Sequence, residues 1–196
     1  AAIAAGLAPD GGLYVPEVWP ALDIAALSAT PTLAEFGSQF LRPFFRGDAL
    51  EAELARITAD AFNFAVPVTL LETAPVTTTI LELFHGPTAA FKDFGARFLA
   101  ACFARLHTKS NRKRTVLVAT SGDTGGAVAA ACDRLPCVEG VVLYPRGLVS
   151  QRQQQQLSCW SENVHAVEVR GTFDDCQRIV KQAFLDPALA ATRELT

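Results

Sequence analysis

The sequence predicts an α/β fold, a doubly wound parallel sheet preceded by a mainly helical N-terminal segment. Three observations predict it. From Thr77 onward, short β-branched runs alternate with amphipathic stretches, the rhythm of strand-helix units. Their connections are short, which suits strands joined by crossover helices. Before Thr77 that rhythm is missing: the first 75 residues hold most of the prolines and show helical spacing instead.

In chain order, Pro9-Asp10-Gly11-Gly12 reads as a turn, and Leu13-Tyr14-Val15 as a short strand ended by Pro16. Residues 32–45 and 48–64 read as helices. Leu50, Leu54, Ile57, Ala61 and Phe64 form an apolar stripe on the second, with Asp48 and Glu51 spaced as a capping box. Residues 1–76 are therefore expected to form a mainly helical subdomain and residues 77–196 a partial α/β region. In that region Thr77–Leu83, Thr115–Ala119, Val138–Leu143 and Val164–Val169 are the expected strands. Residues 91–107, 126–135, 150–159 and 173–184 are the expected helices. Ligands of such sheets bind beyond the carboxyl ends of the strands, so the loops after these strands are where a site is sought.

Composition narrows the partners. With 196 residues, half of them apolar, and a net charge of -3, the chain offers no basic surface for nucleic acid. No apolar run is long enough to cross a bilayer. Five cysteines stand far apart with no Cys-x-x-Cys pair, which predicts free thiols, a reducing cytoplasmic setting and no metal site.

Two loops carry candidate chemistry. In His85-Gly86-Pro87-Thr88-Ala89-Ala90-Phe91-Lys92-Asp93-Phe94 a Gly-Pro turn leads into a helix whose first turn holds Lys92. A helix start disfavours a cation, and an uncharged amine is what attacks a carbonyl. The competing reading is a surface lysine that pairs with Asp93 or runs its stem past the rings of Phe91 and Phe94 to solvent. In Ser121-Gly122-Asp123-Thr124-Gly125-Gly126 three glycines allow close backbone approach, and amides at a helix start suit an anion. Here Asp123 or Thr124 is the candidate cap. Neither a Walker loop nor a dinucleotide fingerprint is present.

The segment Leu81–Phe94 resembles the cofactor-lysine segment of the threonine synthase family, within the tryptophan-synthase β superfamily of pyridoxal-phosphate enzymes. Gly6–Pro16, Thr120–Gly126, Leu143–Gly147 and Gly171–Gln177 resemble further family segments in the same order. The resemblance implies a lyase of threonine biosynthesis that converts O-phospho-L-homoserine and water to L-threonine and phosphate. It implies that Lys92 holds pyridoxal 5'-phosphate covalently and moves protons, with Asp123 beside the cofactor. It also implies that Ser121, Gly122, Thr124 and Gly125 receive the substrate carboxylate. Arg146 is the candidate for the substrate phosphate, since a guanidinium fork suits it. The family's cofactor-phosphate loop lies downstream of the matched region, so the 196 residues alone are expected to be inactive, and their oligomeric state stays open. A sibling lyase, a non-catalytic binding module and an unrelated nucleotide-binding protein are the alternatives.

Overall fold

The computed structural model of the chain describes residues 2–6, 8–27, 31–72, 76–106, 113–160 and 162–196. Its first part is helical: α1 (Ala2–Ala5), α2 (Leu33–Leu41) and α3 (Leu54–Ala61). Thr32 and Glu35 cap α2 reciprocally, the hydroxyl accepting from the Glu35 amide and the carboxylate from the Thr32 amide. On α3 the stripe Leu54, Ile57, Thr58 and Ala61 is buried, and it packs with Phe45, Leu50 and Cys102. The helix begins later than expected. Asp48 accepts from the Leu50 amide and Glu51 from the Gly47 amide, so the pair shapes a turn and a short 3-10 segment, Glu51–Glu53. Leu13-Tyr14-Val15 forms no strand, and all three side chains are exposed.

The first expected strand is corrected by its pairing. β1 (Val68–Leu71) and β2 (Thr78–Leu81) form a separate antiparallel hairpin, with Thr69 opposite Ile80. Thr77–Leu83 thus does not open the parallel sheet. The connection 72–77 is too short for the crossover that parallel neighbours need. The hairpin straddles the boundary expected at 76/77.

Next come α4 (Lys92–Leu106), β3 (Arg114–Ala119), α5 (Asp123–Cys132), β4 (Val138–Pro145), α6 (Gln151–Ser158), β5 (Val164–Val169), α7 (Phe173–Leu185), α8 (Pro187–Thr192) and β6 (Glu194–Leu195). The main sheet runs β5-β4-β3-β6, parallel throughout. The two steps from β3 to β4 to β5 go one way and the return to β6 goes the other. With right-handed crossovers, α5 and α6 cover one face and α7 the opposite one, a doubly wound arrangement. Val116, Cys132, Val138 and Phe103 fill the layer beneath α4 and α5; Ala129, Val142, Tyr144 and Leu157 fill the next, beneath α6. The direction of winding reverses between β3 and β6, and the loop at the carboxyl end of β3 is the glycine loop.

Candidate active site

Lys92 begins α4, and the loop before it is held from within. Asp93 is fully buried and accepts from both the Thr88 amide at 2.9 Å and the Thr88 hydroxyl at 2.7 Å. A Cβ on Gly86 would stand 2.4 Å from the Asp93 carboxylate, so only glycine lets the turn close over it. Ala89, at φ 55°, completes the turn, with its amide donating to the Gly86 carbonyl. The surface pair between Lys92 and Asp93 is thereby ruled out, because Asp93 is buried on Thr88. The Lys92 amine instead lies 4.0 Å above the Phe91 ring centroid. No carboxylate pairs with it among the described residues.

The glycine loop is also tied from below, by Thr120, a residue of the resembling segment with no role assigned from the sequence. This threonine is buried; its Oγ1 accepts from the Gly122 amide at 3.0 Å and the Gly125 amide at 2.8 Å, and donates to the Gly122 carbonyl. The helix cap is Gly122, with φ 144° and no side-chain capping bond; neither Asp123 nor Thr124 takes that role. Of the first-turn amides, Gly125 is satisfied by Thr120 and Gly126 by the Gly122 carbonyl. Those of Asp123 and Thr124 lie in the turn where a helix has no acceptor of its own. The side chains of Ser121, Asp123 and Thr124 are exposed around them.

Helix α6 approaches both loops. Ser150 caps it in a reciprocal box with Gln153. The Gln153 side-chain Nε2 donates to Asp123 Oδ1 at 3.0 Å, and Gln156 Nε2 makes a long contact, 3.4 Å, with the Thr88 carbonyl. In the sequence alone these glutamines stand out only as part of the helix expected over residues 150–159. The Ser-x-x-Gln box was visible there, but a partner thirty positions away was not.

The other candidates lie apart. Arg146 follows β4 at the same end of the sheet, and its guanidinium is 3.5 Å from Glu168. His85 bonds Glu82 at 2.6 Å and stacks on Phe84. The Thr69 hydroxyl and then His85 hold the Glu82 carboxyl below its usual range. Cys102, Cys132, Cys137 and Cys176 are buried and Cys159 is exposed. Burial pushes the Cys102 and Cys132 thiols up to about 12, which makes them inert packing groups. Among the described residues no cluster could hold a metal ion, and no helix is long and apolar enough to cross a membrane.

Comparison with known proteins fits this geometry. Residues 79–194 match the family model of pyridoxal-phosphate dependent enzymes, and residues 1–62 match that of the threonine synthase N terminus. The chain is 42% identical to the threonine synthase of Haemophilus influenzae over 189 residues, 96% of this chain and 43% of that protein. It superposes on the crystal structure of threonine synthase from Escherichia coli with a TM-score of 0.86 and 37% identity, covering 100% of this chain and 45% of that one. The pyridoxal-phosphate-bound threonine synthase of Brucella melitensis gives 0.85 and 38%, covering 100% and 43%. The chain therefore spans less than half the length of the relatives it matches.

Proposed function

We propose, for a chain that belongs to the family of pyridoxal-phosphate-dependent enzymes, that the protein it represents is a cytoplasmic threonine synthase. The reaction is conversion of O-phospho-L-homoserine and water to L-threonine and phosphate. One observation carries the reading. Lys92 presents an amine with no carboxylate partner among the described residues, at a helix start whose neighbouring aspartate is engaged elsewhere. The relatives, which are named threonine synthases, support the class of enzyme, and five free cysteines suit a reducing compartment.

The residues present fit the cofactor. A primary amine on a loop braced by Gly86, Thr88 and Asp93 is the group that holds an aldehyde, and Asp123 stands at the start of the neighbouring helix. When bound, the cofactor supplies the electron sink for carbanion chemistry. Lys92 Nζ would be the anchoring amine and, with substrate in the site, the base that takes the proton from Cα. The amides of Asp123 and Thr124, with the hydroxyls of Ser121 and Thr124, receive the α-carboxylate, while Gly122 and Gly125 let the loop close on Gln153 and Thr120 and so hold those amides in place. Arg146 is assigned to the substrate phosphate, for which it must leave Glu168.

The test is phosphate release from O-phosphohomoserine with matched threonine formation. It compares the full-length encoded protein, its Lys92→Ala variant and the 196-residue chain. Substitution of Lys92 removes both anchor and proton carrier and should lower the rate by about 10³-fold or more. The 196-residue chain should turn over at least about 100-fold more slowly, because imperfect positioning alone costs that much. Phosphate without threonine, or a rate indifferent to Lys92, would contradict the proposal.

A further inference from the structure

We propose that Gln153 is a positioning residue for the glycine loop: it draws the Asp123 carboxylate aside, so that the amides at the start of α5 stay open to an anion. The inference rests on the reading of that loop as the carboxylate site. Asp123 poses the problem, because a carboxylate at the first position of a helix competes with an incoming carboxylate for the same amides.

The structure supplies a solution. Gln153 donates to Asp123 Oδ1, while its own Oε1 accepts from the Ser150 amide at 3.0 Å. The carboxamide is thus fixed at both ends, one on its own helix cap and one on the loop. It also fills the space next to Gly122, where a Cβ would lie 2.2 Å from the Gln153 nitrogen. Gly122 is therefore demanded twice, by its φ of 144° and by the glutamine. In the Gln151–Gln156 run, Gln151, Gln154 and Gln155 are exposed, whereas Gln153 and Gln156 are half-buried toward the loops. The burial separates glutamines that merely solvate a helix from those that serve the site.

Capping and positioning can be separated by one substitution. Glutamate keeps the capping box, since its carboxylate accepts from the Ser150 amide as glutamine does. It cannot donate to Asp123, and it sets a like charge against it. The experiment is hydrogen exchange by mass spectrometry on the full-length encoded protein. Peptides covering residues 120–126 are followed with and without O-phosphohomoserine, for the wild type, Gln153→Glu and Gln153→Glu/Asp123→Asn, with a thermal melt for each.

The expected result is a Gln153→Glu melt close to wild type, with exchange in the loop about tenfold faster and half-saturation by ligand at about tenfold higher concentration. The double variant should restore slow exchange, because asparagine then donates to glutamate and the bond is rebuilt with donor and acceptor reversed. Unchanged exchange in Gln153→Glu, or failure of the double variant to restore it, would overturn the proposal. If ligand protects the loop equally in wild type and Gln153→Glu, the loop reading stands and the role of Gln153 falls. If ligand leaves the wild-type loop unprotected, the carboxylate-site reading is wrong and the proposal falls with it.

Discussion

The lysine loop and the glycine loop solve one problem with opposite chemistry. Each is a strand-to-helix connection pinned by a buried polar side chain that collects the loop's own donors. In the lysine loop the pin is a carboxylate, Asp93, taking the amide and hydroxyl of Thr88. In the glycine loop it is a hydroxyl, Thr120, taking the amides of Gly122 and Gly125. In each, a glycine stands where a Cβ would collide with the pin, 2.4 Å from it at Gly86 and at Gly125. The difference follows what each loop must present. A buried carboxylate uses up the one negative group beside Lys92 and leaves its amine without that neighbour. Beneath amides proposed to receive an anion, a carboxylate would cancel their field, so a neutral pin is the compatible one.

The largest effects should come from filling the space over the pins. Gly86→Ala and Gly125→Ala should each lower unfolding free energy by about 3 kcal/mol, the upper part of the usual cost of overpacking. Urea denaturation read against Gly95→Ala checks this. Gly95 lies within α4 with nothing within 4 Å of a Cβ, so alanine there should gain about 0.5–1 kcal/mol of helix propensity. Equal outcomes at Gly86 and Gly95 would dissolve the idea of a close-fitted pin.

A smaller effect isolates the hydroxyl. Thr120→Val keeps the shape but leaves two amides without their acceptor, and should cost about 2 kcal/mol, with faster exchange at Gly122 and Gly125. Thr120→Ser keeps the oxygen and should restore those amides in the same exchange measurement. If valine and serine behave alike, Thr120 acts by packing and the comparison between pins fails.

The strands from Thr115 onward were legible because β-branched runs stood between glycine and polar breaks. The placing of Lys92 and Asp123 in the first turns of α4 and α5 was legible because loop and helix start are encoded locally. Orientation of Thr78–Leu81 was not, since it depends on Val68–Leu71, a four-residue strand hidden behind Pro67. β6 is two residues long, too short for any periodicity. Thr120 lay one position before the residues read as the loop, although a threonine followed by Ser-Gly at a strand end is a turn signal. The link from Gln153 to Asp123 is long-range, and no local pattern announces it.

The smallest effect sharpens the comparison from outside the site. Asp175 caps α7 with Thr172 on the surface. The Thr172 amide, then Arg178 and the Thr172 hydroxyl, hold its carboxyl down from 3.8 to about 2. A depressed carboxyl stabilises the fold above its unfolded value and loses that contribution as pH falls through its folded one. The difference in urea midpoint between wild type and Asp175→Asn should therefore be constant above pH 3.8 and close toward about pH 2. A difference that grows on acidification would reverse the assignment. Turnover should be unaffected by this cap.

The central claim is that Lys92 is the amine on which the cofactor is held, and chemical trapping tests it most directly. The full-length encoded protein, loaded with pyridoxal phosphate, is reduced with borohydride, digested and mapped by mass spectrometry. The account predicts a phosphopyridoxyl group on the peptide carrying Lys92, with loss of that label in Lys92→Ala. Stoichiometric label on Lys109, Lys113 or Lys181 with Lys92 unmodified would contradict it.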